Sequence, residues 1–139
     1  EHYKIADKVR YINNELYTDQ PDGLSGNEDC GQMSAWYILS SMGFYPVNPS
    51  NGAYVFGSPL FDEVVLDIPG QKQFKISAKN NSDKNIYIQS VSLNGEDHKY
   101  SYITHKEILK GGELEFTMGP KPNKDFGKEK KYRPESIVY

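Results

Sequence analysis

Apolar residues recur at two different periods along this chain of 139 residues. The change from one period to the other divides it into a helical beginning and a β-rich remainder. Ile5, Val9, Ile12 and Leu16 fall at i, i+4, i+7 and i+11, one stripe of an α-helix. Ala6 and Tyr11 widen the stripe, while Asp7, Lys8, Arg10, Asn13 and Glu15 take the other positions. The spacing predicts an amphipathic helix over 3–17 that needs a partner surface, stopped by the turn residues Thr18-Asp19-Gln20-Pro21-Asp22-Gly23. A second helix is predicted from Gln32 to Met42. It is apolar on nearly every side, which predicts burial on several faces, either by the strands that follow or by helices of a larger protein. Gly43 suits the position just past its end, and Pro46 lies beyond.

From residue 53 onward the runs are short and often alternate: 53–57, 63–68, 73–78, 86–93, 100–103 and 113–118. Turn clusters separate them, namely Pro69-Gly70, Asn80-Asn81-Ser82-Asp83, Asn94-Gly95-Glu96-Asp97 and Gly111-Gly112. Asn94-Gly95 between two runs is a strong hairpin signal. Evenly spaced short strands predict an antiparallel sandwich or half-barrel. The tail from Pro120 is polar and reads as loop. The fold class expected is α+β: an N-terminal helical hairpin followed by an antiparallel, sandwich-like β region.

Composition adds limits. Charged residues make up 25% and hydrophobic residues 37%, a globular profile. A net charge of −3 leaves no basic stripe for phosphates, so nucleic acid is not an expected partner. No apolar run approaches the roughly 18 residues of a membrane span. One cysteine, Cys30, offers no disulfide framework. The sequence opens on Glu1 in the middle of a helical pattern, without Met, N-cap or signal-peptide pattern. It reads as a piece of something larger.

The densest candidate chemistry is Gly26-Asn27-Glu28-Asp29-Cys30-Gly31-Gln32, at the mouth of the second helix. Two readings compete. In the first, Asn27 or Asp29 is an N-cap and Glu28 an ordinary first-turn acid, both favoured by the macrodipole and free N–H groups. In the second, the flanking glycines admit a ligand close to the backbone. A carboxylate accepting helix-terminus N–H groups is held in its charged form, which suits a general base or a cation ligand. Glycoside hydrolysis commonly needs two carboxylates on opposite sides of the scissile bond. Neighbours such as Glu28 and Asp29 point in different directions, so this chain supplies at most one member of such a pair.

The other features have plainer readings. His2, His98 and His105 share no metal-ligand spacing. Cys30 reads as a small buried residue. Asp19 to Asp29 does not offer calcium-loop ligands in register. Asn80-Asn81-Ser82 matches a glycosylation sequon. The 11 tyrosines suit sheet faces, with sugar stacking as the alternative use.

Residues 22–49, which include Gly-Asn-Glu-Asp-Cys-Gly-Gln-Met-Ser-Ala-Trp-Tyr at 26–37, resemble the C-terminal signature of glycoside hydrolase family 92, the α-mannosidases. Tyr54-Val55-Phe56-Gly57-Ser58-Pro59-Leu60-Phe61-Asp62, the run from Asn85 to Gly95, Tyr102-Ile103-Thr104-His105 and Gly111 to Gly119 extend the resemblance over nearly the whole chain. Family members are longer, with an N-terminal β-sandwich and a six-hairpin helical barrel. They are calcium-dependent inverting enzymes, often α-1,2-specific, usually exported to a periplasm or cell surface.

The resemblance implies that residues 1–46 are the last barrel helices and 47–139 a C-terminal β-rich region. It implies that Asp29 matches the catalytic base. Glu28 is the second catalytic candidate and stands where some relatives have Asp. Asn27 and Gln32 are candidates for contacts with sugar, and Asn27 also for metal-bound water. The general acid and most calcium ligands are expected outside residues 1–139, with no metal ligand assigned within them. The expected partners are mannose-containing glycans and the remainder of the parent chain, and the isolated piece is expected to be inactive. The alternative is a non-catalytic carbohydrate-binding or interaction module.

Overall fold

The computed structural model describes residues 1–135. A 3-10 turn, His2–Ile5, leads into helix α1, Ala6–Glu15. The helix is shorter than the expected 3–17. After Leu16 the chain leaves the axis, Tyr17 bridges to Leu24, and the Thr18 N–H donates to the Gly23 carbonyl at 2.9 Å. Gly23 is required there, because a Cβ would stand 2.1 Å from the Thr18 oxygen.

Burial along α1 differs from the expected stripe. The fully buried residues are Ala6, Arg10 and Asn13, whereas Val9, Ile12 and Leu16 are half-buried and Ile5 is 38% exposed. The reason is the polarity of the surface that α1 meets. Arg10 donates from Nε to Ser58 Oγ at 3.0 Å and from Nη2 to the Pro59 carbonyl and Asn81 Oδ1. Asn13 brings its amide to 3.3 Å from Ser40 Oγ, whose own proton goes to the Trp36 carbonyl at 2.5 Å. Two positions assigned to the solvent side are therefore the anchors of the helix.

Helix α2, Gln32–Ser41, stops as expected: Gly43 follows with φ of +101° and its N–H donates to the Ser40 carbonyl at 3.0 Å. Burial on several faces is not found. Only Ser40 and Ser41 are fully buried, Leu39 and Met42 touch the core, and Ile38 is 50% exposed. Of the two covers expected for this helix, the strands supply only that of its last turn.

The β region holds β1 (Phe44–Asn48), β2 (Ala53–Phe56), β3 (Glu63–Ile68), β4 (Lys72–Lys79), β5 (Tyr87–Leu93), β6 (Glu96–Asp97), β7 (Tyr102–Thr104) and β8 (Gly112–Gly119). Strands β1-β2-β7 form one sheet and β3-β4-β8-β5-β6 the other. Strand β1 was not expected. It sits at a sheet edge, where Pro46 removes no ladder bond that the sheet needs. Asn94 and Gly95, with φ of +53° and +82°, make the two-residue turn from β5 to β6 that the sequence predicts. One ladder, β4 with β8, is parallel among otherwise antiparallel pairs. The alternation of β4 and β8 turns Phe74, Ile76, Ala78, Leu114, Phe116 and Met118 inward.

The second sheet's inward residues meet Phe44, Phe56 and Ile103 of the first in one cluster, with the Phe56 and Phe116 rings edge to face at 5.1 Å. This is the expected α+β class. A short helix α3, His105–Ile108, was not foreseen either; it is fixed by a capping box between Thr104 and Glu107. The tail is loop as expected over its described part, 120–135, apart from a 3-10 turn at Lys130–Tyr132, and it is held to the sheets; residues 136–139 lie outside the described residues. Asn123 donates to the Gln89 carbonyl at 2.7 Å, the Ser101 N–H donates to the Tyr132 carbonyl at 2.8 Å, and Phe126 packs on the core.

Candidate functional site

The candidate residues lie on the loop between α1 and α2 and on the first turn of α2. Asp29, Cys30 and Gly31 have φ of +54°, +58° and +95°, three left-handed residues in succession. Asp29 and Cys30, not being glycines, each hold that conformation at a cost of roughly 1 kcal/mol.

The N-cap position is Gly31, which has no side chain to offer, so neither Asn27 nor Asp29 is the N-cap. The four leading amides of α2 are nevertheless all satisfied. Gln32 N–H donates to the Asp29 carbonyl at 3.3 Å, Met33 N–H to the Glu28 carbonyl at 3.2 Å, and Ala35 N–H to the Gly31 carbonyl at 3.0 Å. The remaining one, Ser34 N–H, donates to Glu28 Oε1 at 3.2 Å. Glu28 thus takes the capping role through main chain and side chain together.

Behind the loop stands an aromatic group. Tyr17 stacks on Trp36 at 5.8 Å, lies 4.9 Å from Tyr37, and donates its hydroxyl to the Met33 carbonyl at 3.0 Å. Tyr45 extends the group from β1, 6.4 Å from Trp36. Burial raises the Tyr17 hydroxyl above its ordinary pKa, and the nearby Glu28 carboxylate adds to the rise. The hydroxyl therefore stays a donor. Spacing alone did not reveal Tyr17 as part of this group; the signal was its place one residue past the stripe, facing a helix rich in aromatics.

Asn27, Asp29 and Gln32 are exposed, whereas Glu28 is half-buried. Asp29's carboxylate accepts no hydrogen bond among the described residues. Cys30 is exposed, not the small buried residue expected, because the left-handed turn lifts it off the helix. A groove of about 390 Å³ runs beside α2, lined by Tyr17, Thr18, Leu24, Ser34, Tyr37 and Ile38. It reaches the helix start without including Asn27, Asp29 or Gln32. No group of three or more His, Cys, Asp or Glu side chains suited to a metal occurs among the described residues. No described helix is long and apolar enough to cross a membrane.

Residues 1–120 match the model of the glycosyl hydrolase family 92 catalytic domain, so the chain belongs to that family. Among solved structures, a GH92 α-mannosidase from Bacteroides thetaiotaomicron is 39% identical and superposes with a TM-score of 0.93 over 100% of this chain. A GH92 inverting mannosidase from strain VPI-5482 of the same species is 40% identical, with a TM-score of 0.91 over 98% of the chain. A curated relative, an uncharacterized secreted glycosidase of Arthroderma benhamiae, is 33% identical over 106 residues, or 74% of this chain. The chain spans only a small part of these proteins: 19% and 18% of the two solved structures and 14% of the fungal protein.

Proposed function

We propose that this chain is the C-terminal part of an inverting exo-α-mannosidase that cleaves α-mannosidic, chiefly α-1,2, linkages in glycans. In this reading Asp29 is the general base. Its carboxylate takes a proton from water as the water oxygen bonds to the anomeric carbon from the face opposite the leaving group. The glycosidic C–O bond breaks, and the leaving oxygen takes its proton from a carboxylic acid outside residues 1–139. Asn27 and Gln32, exposed on either side of Asp29 in sequence, are the candidate sugar contacts.

The observation that carries the reading is the exposed Asp29 carboxylate, without a hydrogen-bond partner among the described residues, on a left-handed turn in a chain that superposes on GH92 α-mannosidases. The expected division puts the last helices of the barrel in residues 1–46 and the β-rich cap in 47–139; strand β1 already starts at Phe44, so the helical part would end at Gly43. The open faces of α2 would meet the missing helices. Export to a periplasm, cell surface or medium is in keeping with the fungal relative's description as secreted.

Calcium is expected of the family, and the described residues bring together no group of three or more His, Cys, Asp or Glu side chains to hold it. A calcium ion takes about 6–8 oxygen ligands, so most would come from elsewhere in the longer protein, and no step above runs through it.

The test is Asp29→Asn in the full-length enzyme, assayed on an α-1,2-mannobioside. The expected outcome is a loss of about 10³-fold or more in kcat with the thermal midpoint unchanged, in keeping with the large effect of removing a key proton acceptor. A loss under about tenfold would assign the base elsewhere. The 139-residue chain alone is expected to give no turnover.

A second reading, a carbohydrate-binding module, has one favourable feature. Tyr100, Tyr102 and Tyr132 pack edge to face beside a groove lined by Lys106 and Lys110. Saturable binding of mannose by the chain, abolished by Tyr100→Ala, would favour it.

A further inference from the structure

We infer that Glu28 is a positioning residue, whose carboxylate fixes the turn that presents Asp29, and not a second catalytic acid or base. The inference rests on the reading of Asp29 as the base and deepens it.

Its ground is the accounting of the first turn of α2. Three of the four leading amides are met by main-chain carbonyls, and Ser34 N–H is met only by Glu28 Oε1 at 3.2 Å. A Glu28 carboxylate bonded to the Ser34 amide is turned back onto its own helix, whereas Asp29 is exposed. Glu28 also supplies the carbonyl for Met33 N–H, so one residue closes the ring that runs from 28 through the left-handed Asp29, Cys30 and Gly31 to 34. The Tyr17 hydroxyl, held on the Met33 carbonyl, braces the same ring from behind. Opening the ring lets Asp29 and Cys30 relax from left-handed backbone toward ordinary conformations. Any such relaxation swings the Asp29 carboxylate away from where it now points.

A positioning carboxylate and a catalytic one respond differently to substitution. The Ser34 amide needs an acceptor oxygen, and glutamine retains one; proton transfer needs an ionisable group, and glutamine has none. In the full-length enzyme, Glu28→Gln is expected to keep kcat within about tenfold of the parent and to retain the acidic limb of the pH–rate profile. Glu28→Ala is expected to lower kcat by about 10²-fold, the scale of a misplaced catalytic group.

A folded Glu28→Gln enzyme as inactive as Asp29→Asn, or one that has lost the acidic limb, would overturn the inference. So would a folded Glu28→Ala enzyme with the parent's kcat. If Glu28→Ala does not fold, Glu28→Gln and its pH profile decide the matter alone. Failure of the parent reading looks different: the unsubstituted enzyme would not hydrolyse the mannobioside, or Asp29→Asn would remain active.

Discussion

At the scale of single residues, the chain places several polar groups where apolar ones are the simpler choice, and each carries a consequence. His2 is the clearest for pH. Its Nε2–H donates to the Phe56 carbonyl at 2.7 Å, and its ring meets Phe126 edge-on at 5.3 Å. Burial lowers its pKa below the ordinary 6.5, partly opposed by the bond to Phe56. The unfolded chain therefore takes up this proton at a higher pH than the folded chain does. The stability that neutral His2 contributes is complete above about 6.5 and is lost as pH falls from there through the lower folded value. Urea midpoints of the isolated chain are expected to fall between pH 7.5 and 5.5, above the main carboxylate range, and His2→Gln is expected to flatten that fall. An unchanged slope in the variant would assign the effect to other groups.

At the scale of elements, Arg10 decides how the helical part sits on the β part. Its guanidinium joins α1 to the residues after β2, through Ser58 and Pro59, and to the turn after β4, through Asn81. Asn81 in turn donates to the Leu60 carbonyl at 3.1 Å, and Ser58 to the Ile86 carbonyl at 2.7 Å. Arg10→Ala is expected to destabilise the chain by about 3 kcal/mol in urea unfolding, because it leaves three acceptors without their donor in a buried setting. A cost below about 1 kcal/mol would show that water replaces the guanidinium there.

This clamp also marks the limit of what the sequence made legible. A helical period orders residues around an axis but does not say whether the facing surface is apolar. Arg10 and Asn13 were thus set on the outside, though Ser58 and Ser40 wait for them inside. The strands were legible where alternation is strict, as in Phe74-Lys75-Ile76-Ser77-Ala78. Strand β1 was not, since Pro46 reads as a helix stop. Nor was the parallel ladder of β4 with β8, which depends on a crossover that local pattern does not encode. In the site, the acidic loop was legible as a motif, but the division of labour within it was not. That depends on the left-handed turn at Asp29, Cys30 and Gly31, and only Gly31 announces such a turn from its residue type.

At the scale of the whole molecule, the apolar surface is uneven. The inner faces of the two sheets are closed by Phe44, Phe56, Phe74 and Phe116, all buried, whereas the helical end stays open: Tyr11 is 59% exposed and Ile38 50%. The groove beside α2 adds Tyr17, Leu24 and Tyr37 to that open side. Exposed apolar surface of this kind is prone to association. The isolated chain is expected to self-associate reversibly in sedimentation equilibrium at about 100 μM, within the range where exposed apolar surface drives association. Ile38→Lys is expected to return it to monomer. Val65, 46% exposed on β3, lies on a sheet edge, the other surface prone to association. Val65→Lys is expected to leave the association intact. A chain that is monomeric throughout would show that neither surface drives association, whereas one dispersed by Val65→Lys and not by Ile38→Lys would assign the association to the strand edge.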